Sequence, residues 1–316
     1  MLICKLNSTN LYLIHELFSL CRFCRILYDF VEKNGCDSFY NAYMDLSGSY
    51  VPREYLSLKI NYCRQQLSVL PVVKLQRKNK EDDSILRVCV GAHKYSTNSD
   101  DGRKYLSLMH QRESVEQELQ LYRAIWSCYF KGEPSSDCVP ITANRTIWVD
   151  TNKPVFLNKT YFDSLKNDAN TKYPKPKIYK FNGIFYRSAA EREIAVFYTE
   201  MGIPFKYEPE VMIKGLVRPI YPDFVAYFKE IDNCKFHEHF GMSDYADYLK
   251  RGKIKFSNFA DAGLLQDLDL LFTHSNDDSL FDPRHLCAKL NSAIYGTICL
   301  CKTDIQSIKP FQADAG

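Results

Sequence analysis

The chain has 316 residues, 46% hydrophobic and 25% charged, enough for one large or two ordinary domains whose core needs no disulfide staples. Lys and Arg number 41 against 38 Asp and Glu, and the resulting charge of +3 is too small to announce a nucleic-acid partner from composition. Twelve cysteines are scattered from Cys4 to Cys301 rather than packed into a short secreted framework, so free thiols in a reducing cytoplasm are expected.

Residues 11–34 carry Leu13, Ile14, Leu17, Leu20, Leu27, Phe30 and Val31 near a helical period, with Asn34-Gly35 as a stop signal. Lys5, His15, Glu16, Arg22 and Arg25 interrupt the region, so neither a signal peptide nor a membrane span is expected. Cys21-Arg22-Phe23-Cys24 is a lone CxxC. A structural zinc would need help from Cys4 or Cys36, and thiols sharing a helix face with leucines read as buried. Next come a predicted strand at 85–95, a polar turn from Ser96 to Gly102, a segment from Arg103 to Leu108 that could pair back, and a helix at 113–130. Residues 1–131 are thus an expected α+β module of helix, hairpin and helix.

From 132 to 177, Pro134, Pro140, Pro154, Pro174 and Pro176 punctuate the chain and periodicity fades, so a linker region is expected. Lys172, Lys175, Lys177 and Lys180 read as a solvated basic stretch, with a phosphate-touching arm as the alternative. From 178 to 316 the pattern is α/β. Ser188 caps a helix from Ala189 to about Met201 with Glu191 in its first turn, and Gly202 ends it. An extended stretch at 205–213, strands at 221–228 and 235–240, a helical region within 244–262, a buried strand at 268–273, and a helix at 284–294 follow. A last apolar strand at 297–300 would bury Cys299 and Cys301. This order implies one mixed sheet with helices on its faces.

Two strands carry the chemistry. Asp223 opens one and Glu238 lies late in the next; a hairpin centred in the 229–233 turn sets them face to face on one side of the sheet. Two close carboxylates repel and raise one pKa unless a cation lies between them, and a hard divalent ion suits oxygen ligands. No Gly-rich phosphate loop, HExxH or GxSxG occurs, which removes ATPase, zinc-protease and serine-hydrolase readings.

At these residues the chain resembles the PD-(D/E)xK nuclease superfamily, with its restriction-endonuclease-like fold. More closely, it looks like a group of largely uncharacterised bacterial nuclease-like proteins. The blocks that carry the resemblance are Arg187-Ser188-Ala189-Ala190-Glu191-Arg192-Glu193-Ile194-Ala195, Gly202-Ile203-Pro204-Phe205-Lys206-Tyr207-Glu208, Pro222-Asp223-Phe224 and Glu238-His239-Phe240-Gly241-Met242, in that order. They lie within about 175–300. The resemblance implies a nuclease-like domain at 178–316 in which Asp223 and Glu238 hold Mg²⁺, with Mn²⁺ as a substitute, and Glu191 completes the site directly or through water. It implies phosphodiester hydrolysis of nucleic acid, DNA before RNA, in repair, restriction or defence. It departs from the pattern at one position: Phe240 stands where the superfamily's lysine belongs. Three readings remain open. Lys255 supplies the cation from the following helix, His239 contributes although alternation sends it to the opposite face, or the domain is degenerate and only binds nucleic acid or a protein. Glu208 reads as a solvated residue where a strand begins, and Glu193 as facing away from Glu191.

Overall fold

Helix α1 (Arg53–Val69) begins the part of the chain that the computed structural model describes, namely residues 51–77, 86–149, 154–172, 174–241, 246–275 and 281–302. The predicted 11–34 helix with its CxxC, and Met242 of the last motif block, lie outside these residues. Two units form among the described residues: one on 52–143 with 294–302, the other on 144–293 with Val51.

In the first unit, α1 leads to β1 (Val73–Arg77), β2 (Leu86–Val90), β3 (His93–Ser96) and the long α2 (Asp100–Tyr129). The strands make an antiparallel sheet in chain order. Arg112 of α2 donates to the carbonyls of Leu67 and Leu70 at 2.9 and 2.8 Å, satisfying acceptors that the end of α1 leaves open. The single strand expected at 85–95 is two strands folded at Gly91, whose φ of 57° suits glycine. Arg103–Leu108, expected to pair as a strand, instead forms the first turns of α2. The cap decides this: Ser99 Oγ accepts from the Gly102 amide at 3.1 Å, and Asp100 and Asp101 sit at the positive helix end. A Cβ on Gly102 would fall 1.8 Å from the Ser96 carbonyl oxygen, so the tight entry to the helix requires glycine.

In the second unit, the expectation of a linker over 132–177 is overturned from 144 onward. β4 (Thr146–Trp148), β5 (Pro154–Phe156) and α3 (Lys159–Ser164) form there. Ile147, Leu157, Tyr161, Phe162 and Leu165 are buried in one cluster with Val225, Phe236, Phe259 and Phe272. Arg145 clamps the buried Asp269 with bonds of 3.0 and 2.5 Å. The prolines delimit short elements here rather than marking loose chain. The basic stretch is divided as well: Lys172, Lys177 and Lys180 are exposed, while Lys175 turns inward over the Tyr207 ring at 4.2 Å.

A hairpin, β6 (Lys180–Phe181) and β7 (Ile184–Phe185), turns at Asn182-Gly183 with φ of 45° and 81°. Then come α4 (Ala189–Glu200), β8 (Phe205–Tyr207), β9 (Phe224–Phe228), β10 (Asn233–Phe240), α5 (Ala246–Asp261), β11 (Leu270–His274) and α6 (Pro283–Lys302). The main sheet runs β11-β10-β9-β8, with β10 and β11 parallel and the other pairs antiparallel. The architecture is therefore mixed α/β. All of β9 and all of β10 up to its last residue are buried, so polar groups at their ends are held by a stiff apolar frame. The last predicted strand, at 297–300, lies inside α6, and Cys299 and Cys301 are exposed on it. No helix among the described residues is long and apolar enough to cross a membrane.

Candidate active site

The β9–β10 register pairs Phe236 with Val225 and His237 with Phe224; continued by one residue, it sets Asp223 opposite Glu238. This is the hairpin centring expected from the sequence. The Asp223 carboxylate accepts the His239 amide at 2.8 Å, fixing the carboxyl just beyond the last rung of the ladder. Glu238 is 2% exposed, although it carries a charge-bearing group into an apolar strand. Its Oε2 is ion-paired with Lys255 Nζ from α5, and its Oε1 is buried with no hydrogen-bond partner. Lys255 thus brings a cation to the carboxylate that Phe240 cannot serve.

Phe240 has a different task. It stacks on Phe256 with centroids 5.5 Å apart and packs on Phe272 at 5.8 Å. A Cβ on Gly252 would come within 3.1 Å of its ring, so α5 approaches β10 closely at a glycine. That close contact lets Lys255, three residues farther along the helix, reach Glu238.

Glu191 enters from the first turn of α4. Ser188 Oγ accepts the Glu191 amide at 3.1 Å, which caps the helix. The Glu191 carboxylate reaches back, its Oε2 accepting from the Arg187 amide at 3.1 Å and from the Tyr207 hydroxyl at 2.5 Å. Burial and the Asp223 charge push its pKa up to about 8. Glu238 is likewise pushed up to about 8, by burial first and then by Asp223, against the lowering effect of Lys255. Asp223 is raised by burial, with Lys255 and the His239 amide opposing. Glu191 and Glu238 therefore each feel Asp223, and near neutral pH without a cation the group retains protons.

The His239 imidazole does not join them. Its Nδ1 lies 2.9 Å from Thr273 Oγ1 and its Nε2 3.3 Å from Ser275 Oγ, on the side where His237 meets Tyr198 and Thr273 at 2.8 Å each. Burial and His274 lower its pKa to about 4. Only its backbone amide serves the site.

Glu208 corrects the expectation of a solvated residue. It is buried, its φ is 40°, and it is held by Arg187 Nε at 2.6 Å, Lys175 Nζ at 3.0 Å and Asn170 Nδ2 at 2.8 Å. Its amide donates to the Asp223 carbonyl at 3.0 Å. A strained backbone held by two cations beside the carboxylates ties the start of α4 to the end of β8. Its three partners come from separate stretches of chain, so spacing alone did not point to it. Glu193 pairs with Arg192 at 2.6 Å.

Among the described residues no three His, Cys, Asp or Glu side chains enclose an ion-sized space as they stand. The donor chemistry nonetheless suits a hard cation: the oxygens belong to carboxyls, Asp223 and Glu238 lie within hydrogen-bonding reach of each other, and no nitrogen or hydroxyl donor serves the buried Glu238 Oε1. Comparison with protein-family models, with curated proteins and with solved structures finds no match to this chain.

Proposed function

We propose that the chain is a metal-dependent nuclease of restriction-endonuclease-like fold, hydrolysing phosphodiester bonds of DNA, with Asp223, Glu238 and Glu191 as the cation-holding group and Lys255 as the catalytic cation. The observation that carries this reading is the Asp223–Glu238 pair on adjacent strands, one buried oxygen unpartnered and the other met by Lys255. A four-stranded mixed sheet between helices agrees with the resemblance carried by the four motif blocks. When bound, Mg²⁺ or Mn²⁺ would supply Lewis-acid neutralisation of the phosphate and a more acidic water.

The chain's own residues do the rest. Asp223 and Glu238 would hold the cation, and the buried β9 and β10 keep their carboxyls in place. Lys255, drawn to Glu238, orients the attacking water and stabilises charge on the phosphate oxygens. Tyr207 and the Arg187 amide hold Glu191 toward the pair.

Supercoiled plasmid and single-stranded DNA incubated with Mg²⁺ or Mn²⁺ test the reading beside Asp223→Ala. Cleavage by the wild type alone is expected. Equal activity of both proteins, or none toward any nucleic acid, would overturn it. One observation favours a second reading, a non-catalytic module: Lys255 already neutralises Glu238 without a metal. That reading expects a melting temperature indifferent to Mg²⁺, whereas the nuclease reading expects a rise that Glu238→Ala abolishes.

A further inference from the structure

The smaller unit carries a surface that the carboxylate site leaves unexplained. Its sheet turns one face toward α2, where Val73 and Val88 are buried and the Tyr95 ring lies 5.1 Å from Tyr105. Alternation sends the other residues outward: Lys74 and Gln76 on β1, Arg87 and Cys89 on β2, Lys94 and Ser96 on β3. The register arranges them in two rows, Lys74–Cys89–Lys94 and Gln76–Arg87–Ser96. Cys89 Sγ lies 3.5 Å from Gln76 Oε1 and ties the rows together. All but Cys89 are exposed.

Among the described residues three cations thus share one small face with no carboxylate on it, and Lys74, Arg87 and Lys94 form no ion pair there. A mixed surface normally intersperses both signs. The modest net charge of the chain therefore conceals a local concentration of positive charge. Strands spaced by about 4.8 Å put the outer two about 10 Å apart, which fits the about 12 Å width of a B-DNA major groove. Helix α2 supports the sheet from behind, so the face is stiff.

We propose that this open face binds duplex DNA by entering the major groove, Lys74 and Lys94 on the outer strands meeting phosphates and Arg87 at the centre presented to base edges. The proposal extends the nuclease reading by naming where the substrate is gripped, and its test does not depend on cleavage. A-form RNA keeps its major groove deep and narrow, so duplex RNA is disfavoured.

The full-length Asp223→Ala protein, in EDTA, is titrated onto fluorescent duplex DNA and duplex RNA at salt from about 50 to about 200 mM. Lys74→Thr/Arg87→Thr/Lys94→Thr in that background is expected to weaken DNA binding at least about tenfold. Lys74→Thr/Lys94→Thr alone is expected to flatten the log–log salt slope by about 2. Lys104→Gln/Arg123→Gln/Lys131→Gln removes the same charge from exposed positions elsewhere on the unit and is expected to leave binding within about twofold. Thermal melts show that each variant is folded, and the three single substitutions stand in if the triple variant is not. Wild-type affinity in the face variants, an equal loss in the control, or tighter binding of duplex RNA would overturn the proposal. Cleavage by a protein whose face variants bind normally would leave the nuclease reading standing and this one refuted.

Discussion

The hydroxyl of Tyr207 donates to Oε2 of Glu191 over 2.5 Å while accepting the Arg187 amide at 3.1 Å. One phenol thereby joins the end of β8 to the first turn of α4. It holds a carboxylate that would otherwise swing as an ordinary helix cap.

Tyr207→Phe tests what that bond does. The ring keeps its packing on Tyr186 and Phe224, at 4.6 and 5.4 Å, so the fold is expected to survive. Cleavage is expected to fall about 10- to 100-fold, the usual cost of losing a group that orients a metal-site ligand. A matching loss of Mn²⁺ affinity by calorimetry would separate positioning from a purely structural effect. Unchanged affinity and rate would show Glu191 to be only a cap.

Lys255→Met should lower cleavage by about 10² or more, the range for a positioned acid–base or charge-stabilising group. Lys255→Arg should restore part of it. Without the ammonium, the pKa of Glu238 should rise further, because Lys255 is the principal group holding it down. Titration of labelled carboxyl carbons by NMR reads that shift independently of activity.

The pH dependence of stability has a defined sign. Glu191 and Glu238 titrate at about 8 in the folded protein and at about 4.3 in the unfolded chain. Between those values the folded state holds protons that the unfolded state has released. Stability in EDTA is thus fully present below about 4.3, falls as pH rises through the window, and levels off above 8. Melting temperatures from acid to mild alkali should show this decline, and Glu238→Gln should shrink it. Stabilisation by Mg²⁺ should grow with pH over the same range, because fewer protons then have to be displaced.

Ile147→Ala probes the segment that reads as linker. The side chain is fully buried among Leu157, Phe259 and Ala262, so the truncation should cost about 2–5 kcal/mol in denaturant unfolding. A surface linker position would change by less than about 0.5 kcal/mol. The size of the loss therefore decides whether residues from 144 fold as part of the larger unit.

Sequence alone determined the elements whose signals are local. Ser188 and Gly202 bound α4 because capping and a left-handed C-terminal residue act within a few bonds. The 229–233 turn fixed the hairpin register, and with it the facing of Asp223 and Glu238, since period-2 alternation leaves no freedom once the turn is placed. Asn182-Gly183 carried a comparable turn signal for β6–β7, and Gly91 one for the β2–β3 fold, yet both are overshadowed by the apolar residues around them. Only the tertiary structure decided the rest. That Ile147, Phe162 and Leu165 belong to the core depends on strands about 60 to 125 residues later in the chain, which no local pattern reports. Lys255 reaches Glu238 because Gly252 lets α5 settle on Phe240, and Glu208 is buried because Arg187, Lys175 and Asn170 converge on it. The net charge of +3 is likewise a sum over the chain. Only the register of β1, β2 and β3 gathers Lys74, Arg87 and Lys94 on one face, because charge acts through distance in space and composition carries no distances.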